Sequence, residues 1–296
     1  MECPICLEKF ELHDFSSLAE HFTTMAGASD SDHVSWLNNN ISKVKLKRNE
    51  LSRKFNDYYS DTNLKAWIIK RFVEQFRGDK PHPFILMMQE YHPSVLKGYS
   101  FEHYFFLKQW VKSCSAIISG TDLDDVQHYE IDNILSEYYG YENYKPHIEL
   151  LLEMGEAYWI PRNSIYNSRP LQKTEKAIKR WKSIAREKSW IDIMGAMHSL
   201  ELVANSSLRD YGAKYDYFNP VILDTPNVPN AVKAFLMEGY KADVSHSMEA
   251  LNLIDKYASK ETEEGIQDAF LSSAYVFGQY LEARIERGEI IENEQH

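Results

Sequence analysis

The sequence predicts an all-α protein, a bundle of about seven or eight helices preceded by a small zinc-binding module. Three observations carry this. Only 10 Pro and 12 Gly punctuate 296 residues, which favours long helices over many short strands. Apolar residues recur at helical spacing through most of the chain, as in "NLKAWIIKRFVEQF", where Leu64, Ile68, Phe72 and Phe76 fall four apart on one face. Residues 1–40 differ from the rest, being rich in Ser, Asp, His and Asn and holding a cysteine pair.

That pair opens the first element, "ECPICLEKFELHDFSSLAEHF". The pattern is C-x2-C-x3-F-x7-L-x2-H-x11-H, from Cys3 and Cys6 through Phe10, Leu18 and His21 to His33. Two thiolates on a turn and two imidazoles on a helix close a tetrahedron around zinc, and the Phe and Leu pack behind it. The usual gap between the histidines is about three to five residues. Eleven residues here require a loop, so His33 must return from a second short segment, with His13 as a rival fourth ligand. Such a zinc is structural, and its chelation is expected to unfold residues 1–40 while the bundle stays helical.

Charge excludes one obvious role for this module. Residues 1–40 hold one basic side chain, Lys9, against seven acids, Glu2, Glu8, Glu11, Asp14, Glu20, Asp30 and Asp32. A base-reading finger needs cationic and amide side chains on its helix, and this one offers Ser17, Ala19 and Glu20. The whole chain carries a formal charge of −11. Sequence-specific DNA binding is therefore not expected, and a contact of the finger is expected with protein instead. Two basic runs, Lys43 to Lys54 and Lys173 to Lys188, read as solvated helix faces. Three cysteines, with Cys114 the odd one, do not form a disulfide framework and point to a reducing cytoplasm. No apolar run reaches the roughly 20 residues that span a membrane.

Residues 41–60, with "ISKVKLKRNELSRKF", read as a linking helix, and 61–290 as the bundle. Its helices are "SFEHYFFLKQWVKSCSAII", "DDVQHYEIDNILSEYYG", "HIELLLEMGEAYWI", "KTEKAIKRWKSIAREK", "WIDIMGAMHSLELVANSSLRDYG", "NAVKAFLMEGYKADVSHSMEALNLIDKYA" and "EEGIQDAFLSSAYVFGQYLEARIERG". The last residues, "RGEIIENEQH", are expected to fray. Three helices carry ionisable residues between apolar flanks. Glu137 and His147 bracket Gly140, Glu201 lies in "LELVA", and Asp243 and His246 stand three apart on one face. A bundle core accepts such groups only when they are paired or bind metal, and mixed His and carboxylate ligands suit iron or manganese.

From "HPF" at His82 and "FLKQW" onward, through "NILSEYYG…HIELLLEMG" to "DVSH", the chain resembles the haem-oxygenase-like superfamily. That group includes TenA-type thiaminases, the pyrroloquinoline-quinone synthesis protein C and metal-dependent oxidases. The resemblance covers about residues 60–285 and implies a haem-oxygenase-like bundle. In the metal-dependent members, three carboxylates and three histidines hold two ions. Glu137, His147, Glu201, Asp243 and His246 match that set. The sixth position, four before the aspartate, is Gly239, where a histidine is expected. His198, Glu238 or Tyr240 could substitute, or the second ion binds weakly or not at all.

The reading preferred is an oxidase or oxygenase using iron or manganese and O2 on a small organic metabolite, with a structural zinc finger appended. No catalytic side chain beyond the ligands is identified. Two alternatives stand beside it. One is a cofactorless or thiaminase-like relative, which calls for a nucleophilic cysteine, whereas Cys114 lies on a core-facing helix. The other is a non-enzymatic adaptor built from the finger and a degenerate bundle. Assembly as a homodimer is left open.

Overall fold

The computed structural model describes residues 1–60, 63–140 and 145–294, with the side chains of 239–245 outside the description. Helices dominate, and among the described residues the only β pairing is an isolated bridge between Glu2 and Lys9. In chain order the helices are α1 (Phe15–Gly27), α2 (Ser31–Asn40), α3 (Arg48–Tyr59), α4 (Leu64–Phe72), α5 (Pro83–Met87), α6 (Pro93–Gly120), α7 (Asp124–Ile134), α8 (His147–Ala157), α9 (Arg162–Tyr166), α10 (Gln172–Glu187), α11 (Trp190–Met197), α12 (Val221–Asp224), α13 (Asn230–Tyr257) and α14 (Lys260–Glu294). No described helix is long and apolar enough to cross a membrane.

Two long helices form the axis, α6 and α14, with α10 and α11 packed on α14. The axis is close because two glycines face each other across it. A Cβ on Gly98 would lie 2.0 Å from the Arg284 carbonyl oxygen, and one on Gly288 would lie 2.3 Å from that of Ser94. Only bare backbone fits there. The crossing sets Arg284 against Tyr99 in the centre of the bundle.

The segment 190–211 is not the single helix that its apolar pattern suggests. After α11 the chain tightens into two 3₁₀ turns, His198–Val203 and Ser206–Tyr211. Arg77 is the physical cause. It stands fully buried in a wide π-turn, Val73–Arg77, that ends α4. Its guanidinium takes the carbonyls of Leu202, Val203, Asn205 and Tyr215, and the carboxylate of Asp216. Carbonyls captured by a charged donor are withdrawn from the helical ladder. At three residues per turn, His198 and Glu201 then share one face. A second π-turn, Leu135–Tyr139, ends α7 and carries Glu137, and Gly140 stops it with φ of 85°.

Two further expectations change. The linking segment is helical only from Arg48, and α3 buries Leu51, Phe55, Tyr58 and Tyr59, packing against α1. Of the C-terminal residues expected to fray, 287–294 are helical, as α14 runs to Glu294; the last two lie outside the described residues.

The finger sits directly on the bundle. Aromatic rings run from it into the core, with Phe22 on Phe55 at 5.2 Å, Phe15 on Tyr59 at 5.6 Å, Tyr59 on Trp67 at 6.2 Å and Trp67 on Phe270 at 5.7 Å. The basic face of α10, expected to be solvated, docks the acidic finger. Arg180 donates to the carbonyls of Pro4 and Ile5 at 3.3 and 2.9 Å, inside the cysteine knuckle. Lys188 pairs with Glu2 at 2.8 Å and Lys176 with Asp32 at 3.1 Å.

Candidate functional site

The first donor cluster is the finger. The chain turns back after Cys3, where Leu7 adopts a left-handed φ of 64° and Cys3 N donates to the Glu8 carbonyl. His21 stands on α1, capped by Asp14, and His33 on α2, capped by Asp30. Thus His33 does return on a second short helix. Cys3, Cys6, His21 and His33 bring one donor atom each within 4.8 Å of one another. The nitrogens of the two histidines lie 3.2 Å apart, with Sγ of Cys3 3.5 Å from His33 Nε2 and Sγ of Cys6 3.4 Å from His21 Nε2. A tetrahedral zinc with ordinary bond lengths has edges of about 3.3 Å between nitrogens and about 3.5 Å between sulfur and nitrogen. The donor set fits that ion. His13 is exposed, with a φ of 58°, and stands outside the group. Each imidazole is held from behind, His21 Nδ1 by Glu8 at 2.9 Å and His33 Nδ1 by Asp30 at 2.6 Å. Burial pushes the Cys3 thiol up to about 12, so a cation is needed to make it a thiolate.

The second site is a cavity of about 70 Å³ at the heart of the bundle. Glu137, His147 and Glu201 line it together, from the π-turn after α7, from the first turn of α8 and from the 3₁₀ turn. His147 Nδ1 meets the Glu137 carboxylate at 2.8 Å. Both oxygens of Glu201 are buried, and neither has a hydrogen-bond partner among the described residues. Apolar walls come from Phe106, Leu107, Trp110, Phe235, Leu236 and Phe277.

His246 lies on α13, which packs on both α8 and the 3₁₀ turn. Its backbone carbonyl accepts from Tyr129 at 3.1 Å, and its ring Nδ1 is buried without a described partner. It is not a lining residue. Asp243, Gly239 and Tyr240 have side-chain positions outside the described residues. Glu238 is half-buried and lines no part of the cavity.

His198 belongs to a neighbouring, fully buried cluster with Cys114 and Glu130. Its Nε2 approaches Glu130 to 2.8 Å, though not in hydrogen-bond alignment, and its Nδ1 lies 3.5 Å from Glu201. Burial opposes charge on this ring, but Glu130 outweighs it and raises the pKa to about 10. Sequence reasoning missed Glu130. It lies seven residues before Glu137, two turns back along the same helical face, and that spacing was a readable signal. Cys114 is dry, and burial with Glu130 beside it holds the thiol well above its ordinary range. It does not line the central cavity, and a buried thiol held protonated in this way is a poor nucleophile.

Opposite in sign to the carboxylates, Arg284 also lines the cavity, together with Tyr99, His103 and Tyr217. Its guanidinium lies 3.7 Å over the Tyr99 ring, donates to Tyr217 Oη at 2.9 Å and to His103 Nδ1 at 3.1 Å, and reaches the Tyr280 hydroxyl. Burial, Arg284 and His147 hold His103 well below the usual histidine range, so it is neutral.

A family model described as "TENA/THI-4/PQQC family" matches residues 67–287, and a C2H2-type zinc-finger model matches residues 2–60. No curated protein matches the chain. Among solved structures, a TenA homologue from P. horikoshii superposes with a TM-score of 0.57 at 11% identity, covering 76% of this chain and 95% of that one. A TenA homologue from Pseudomonas syringae gives 0.52 at 14%, covering 79% and 92%. A CADD-like protein of unknown function from Nostoc punctiforme gives 0.50 at 14%, covering 82% and 97%. At such identities the likeness is one of fold.

Proposed function

Since the chain belongs to the TENA/THI-4/PQQC family, we propose that its bundle is an iron- or manganese-dependent oxidase that uses O2 on a small organic metabolite. The observation that carries this reading is the Glu201 carboxylate, with both oxygens buried on the cavity wall and without a hydrogen bond among the described residues, its charged neighbour being His198 Nδ1 at 3.5 Å. A buried carboxylate whose only charged contact is one long approach to a histidine already shared with Glu130 is incompletely compensated, and a metal cation would complete it. His147 through Nε2 and Glu201 would hold the metal, with Glu137 behind His147 and His246 on the adjacent helix; these donors do not lie within 4.8 Å of one another in this structure, so they would have to draw in around the ion. This is a hard oxygen and imidazole set of the kind iron and manganese prefer.

The bound metal would supply O2 activation, which side chains alone do not provide. The chain's own contribution is positional. Glu137 fixes the tautomer and angle of His147 through Nδ1, freeing Nε2 to bind. Phe106, Trp110 and Phe277 keep bulk water from the reacting centre. The inert Cys114 speaks against a thiaminase-like reaction.

In this reading the finger is a structural clamp. The contacts of Arg180, Lys176 and Lys188 support that role, because they occupy the knuckle and its acidic side with the bundle itself. The test is metal content. Full-length protein produced with iron or manganese supplied should carry that metal in addition to zinc, and consume O2 when substrate is present. Glu201→Gln should lose the iron or manganese and keep the zinc. Unchanged metal in that variant would reject the site, leaving an ion-paired core and the adaptor reading in its place.

A further inference from the structure

Three arginines are buried in this protein, Arg71, Arg77 and Arg284. Two are compensated. Arg71 pairs with Glu74 at 2.7 Å, and Arg77 holds Asp216 together with its ring of carbonyls. Arg284 differs. At 2% exposure, its acceptors are two phenols and one imidazole, none of them a carboxylate, and its Nε has no described partner. No carboxylate lies within ion-pair distance among the described residues. The rings of Tyr99, Tyr280 and Phe84, at 3.7, 4.5 and 5.0 Å, contribute cation–π attraction. That offsets part of the desolvation of a guanidinium but not a full unit of charge. The uncompensated cation borders the same cavity as Glu137 and Glu201.

We infer that Arg284 is an anion-binding group, and that the molecule occupying the cavity is a small carboxylic acid with an apolar body, its carboxylate held by the Arg284 guanidinium. The inference rests on the reading of this cavity as the substrate site. A planar carboxylate matches the fork of a guanidinium. A phosphate ester would bring close to two charges, and no lysine or second arginine lines the cavity to receive them. Orientation follows from sign. Glu137 and Glu201 repel an anion, so the acid end turns to Arg284 and the apolar body lies against Phe235, Leu236 and Phe277. The volume of about 70 Å³ limits the occupant to a short chain, or to the acid end of a longer one.

The test uses full-length, zinc-loaded protein produced without iron or manganese, so that no bundle metal can bind the probe. Butyrate and its uncharged isostere butyramide are titrated by calorimetry and by thermal shift. Butyrate should bind saturably, with a Kd of about 1–10 mM for so small a probe, and butyramide at least about tenfold more weakly. Arg284→Gln should abolish the preference for the acid, and Arg284→Lys should keep part of it. Equal binding of acid and amide to the wild-type protein, or no binding of either, overturns the inference even if the variants fail to fold. So does an Arg284→Gln protein that folds and still prefers the acid. Metal content separates the two claims. Absence of an acid preference in the wild-type protein, with iron or manganese retained when it is loaded, sinks the subsite alone, whereas Glu201→Gln protein with unchanged metal sinks the oxidase reading alone.

Discussion

Asp30 and His33 are joined twice through one oxygen. Oδ1 of Asp30 accepts from the His33 backbone N–H at 3.0 Å, which caps α2, and lies 2.6 Å from His33 Nδ1, which turns the ring so that Nε2 faces the thiolates. The cap and the metal ligand are thus a single device, and both contacts hold the Asp30 carboxyl below the usual carboxylate range.

Asp30→Ala should therefore lower zinc affinity by about 10–100-fold and destabilise α2 through loss of its cap. Asp30→Asn keeps the cap and loses the charge, so it should recover stability more than affinity. Competition with a chromophoric chelator reads the affinity, and urea unfolding reads the stability. Equal zinc affinity in all three proteins would show that His33 needs no such support.

The docking of the knuckle on α10 predicts that zinc matters beyond residues 1–40. Chelation should leave the bundle helical by circular dichroism but lower its melting temperature, because Arg180 then faces carbonyls that are no longer held in place. Arg180→Ala should cost about 2–3 kcal/mol even with zinc bound, as charged hydrogen bonds to buried carbonyls are lost. A melting temperature unchanged by chelation would mean that finger and bundle are energetically independent.

His82 caps α5 with its ring, Nδ1 accepting from Phe84 N–H at 3.2 Å. Burial pulls its pKa from the ordinary 6.5 down to about 4. The folded state thus refuses a proton that the unfolded chain accepts. Its stabilising contribution is complete above about pH 6.5 and is lost as pH falls toward 4. Relative to His82→Asn, which keeps a capping acceptor that does not titrate, the wild-type protein should lose stability over that window. A difference in urea midpoint that stays constant from pH 7 to pH 4 would refute this.

Gly98→Ala should destabilise by about 3 kcal/mol or more, since the new methyl meets backbone of α14 that cannot step aside. Gly27→Ala is the control, with open space around the added carbon, and should be neutral or slightly stabilising. Similar midpoints for the two variants would mean that the α6–α14 crossing yields more easily than its geometry implies.

What the sequence determined by itself was local. The spacing of Cys3, Cys6, Phe10, Leu18 and His21 specifies a metal knuckle and its helix, because ligand chemistry and helical period act over few residues. Apolar periodicity specifies the helices, and apolar flanks mark Glu137, His147 and Glu201 as groups needing a partner. Tertiary structure decided the rest, through contacts between residues far apart in the chain. Arg77 breaks a segment that reads as helix by taking carbonyls more than a hundred residues away. The basic stripe of α10 reads as solvated until the acidic finger covers it. Nothing local in "LEARIERG" singles out Arg284, and only the glycine crossing of α6 and α14 carries it to the cavity without a carboxylate beside it among the described residues. A charge pattern states how many ions a helix bears, but whether each is hydrated, paired or left dry depends on what packs against it.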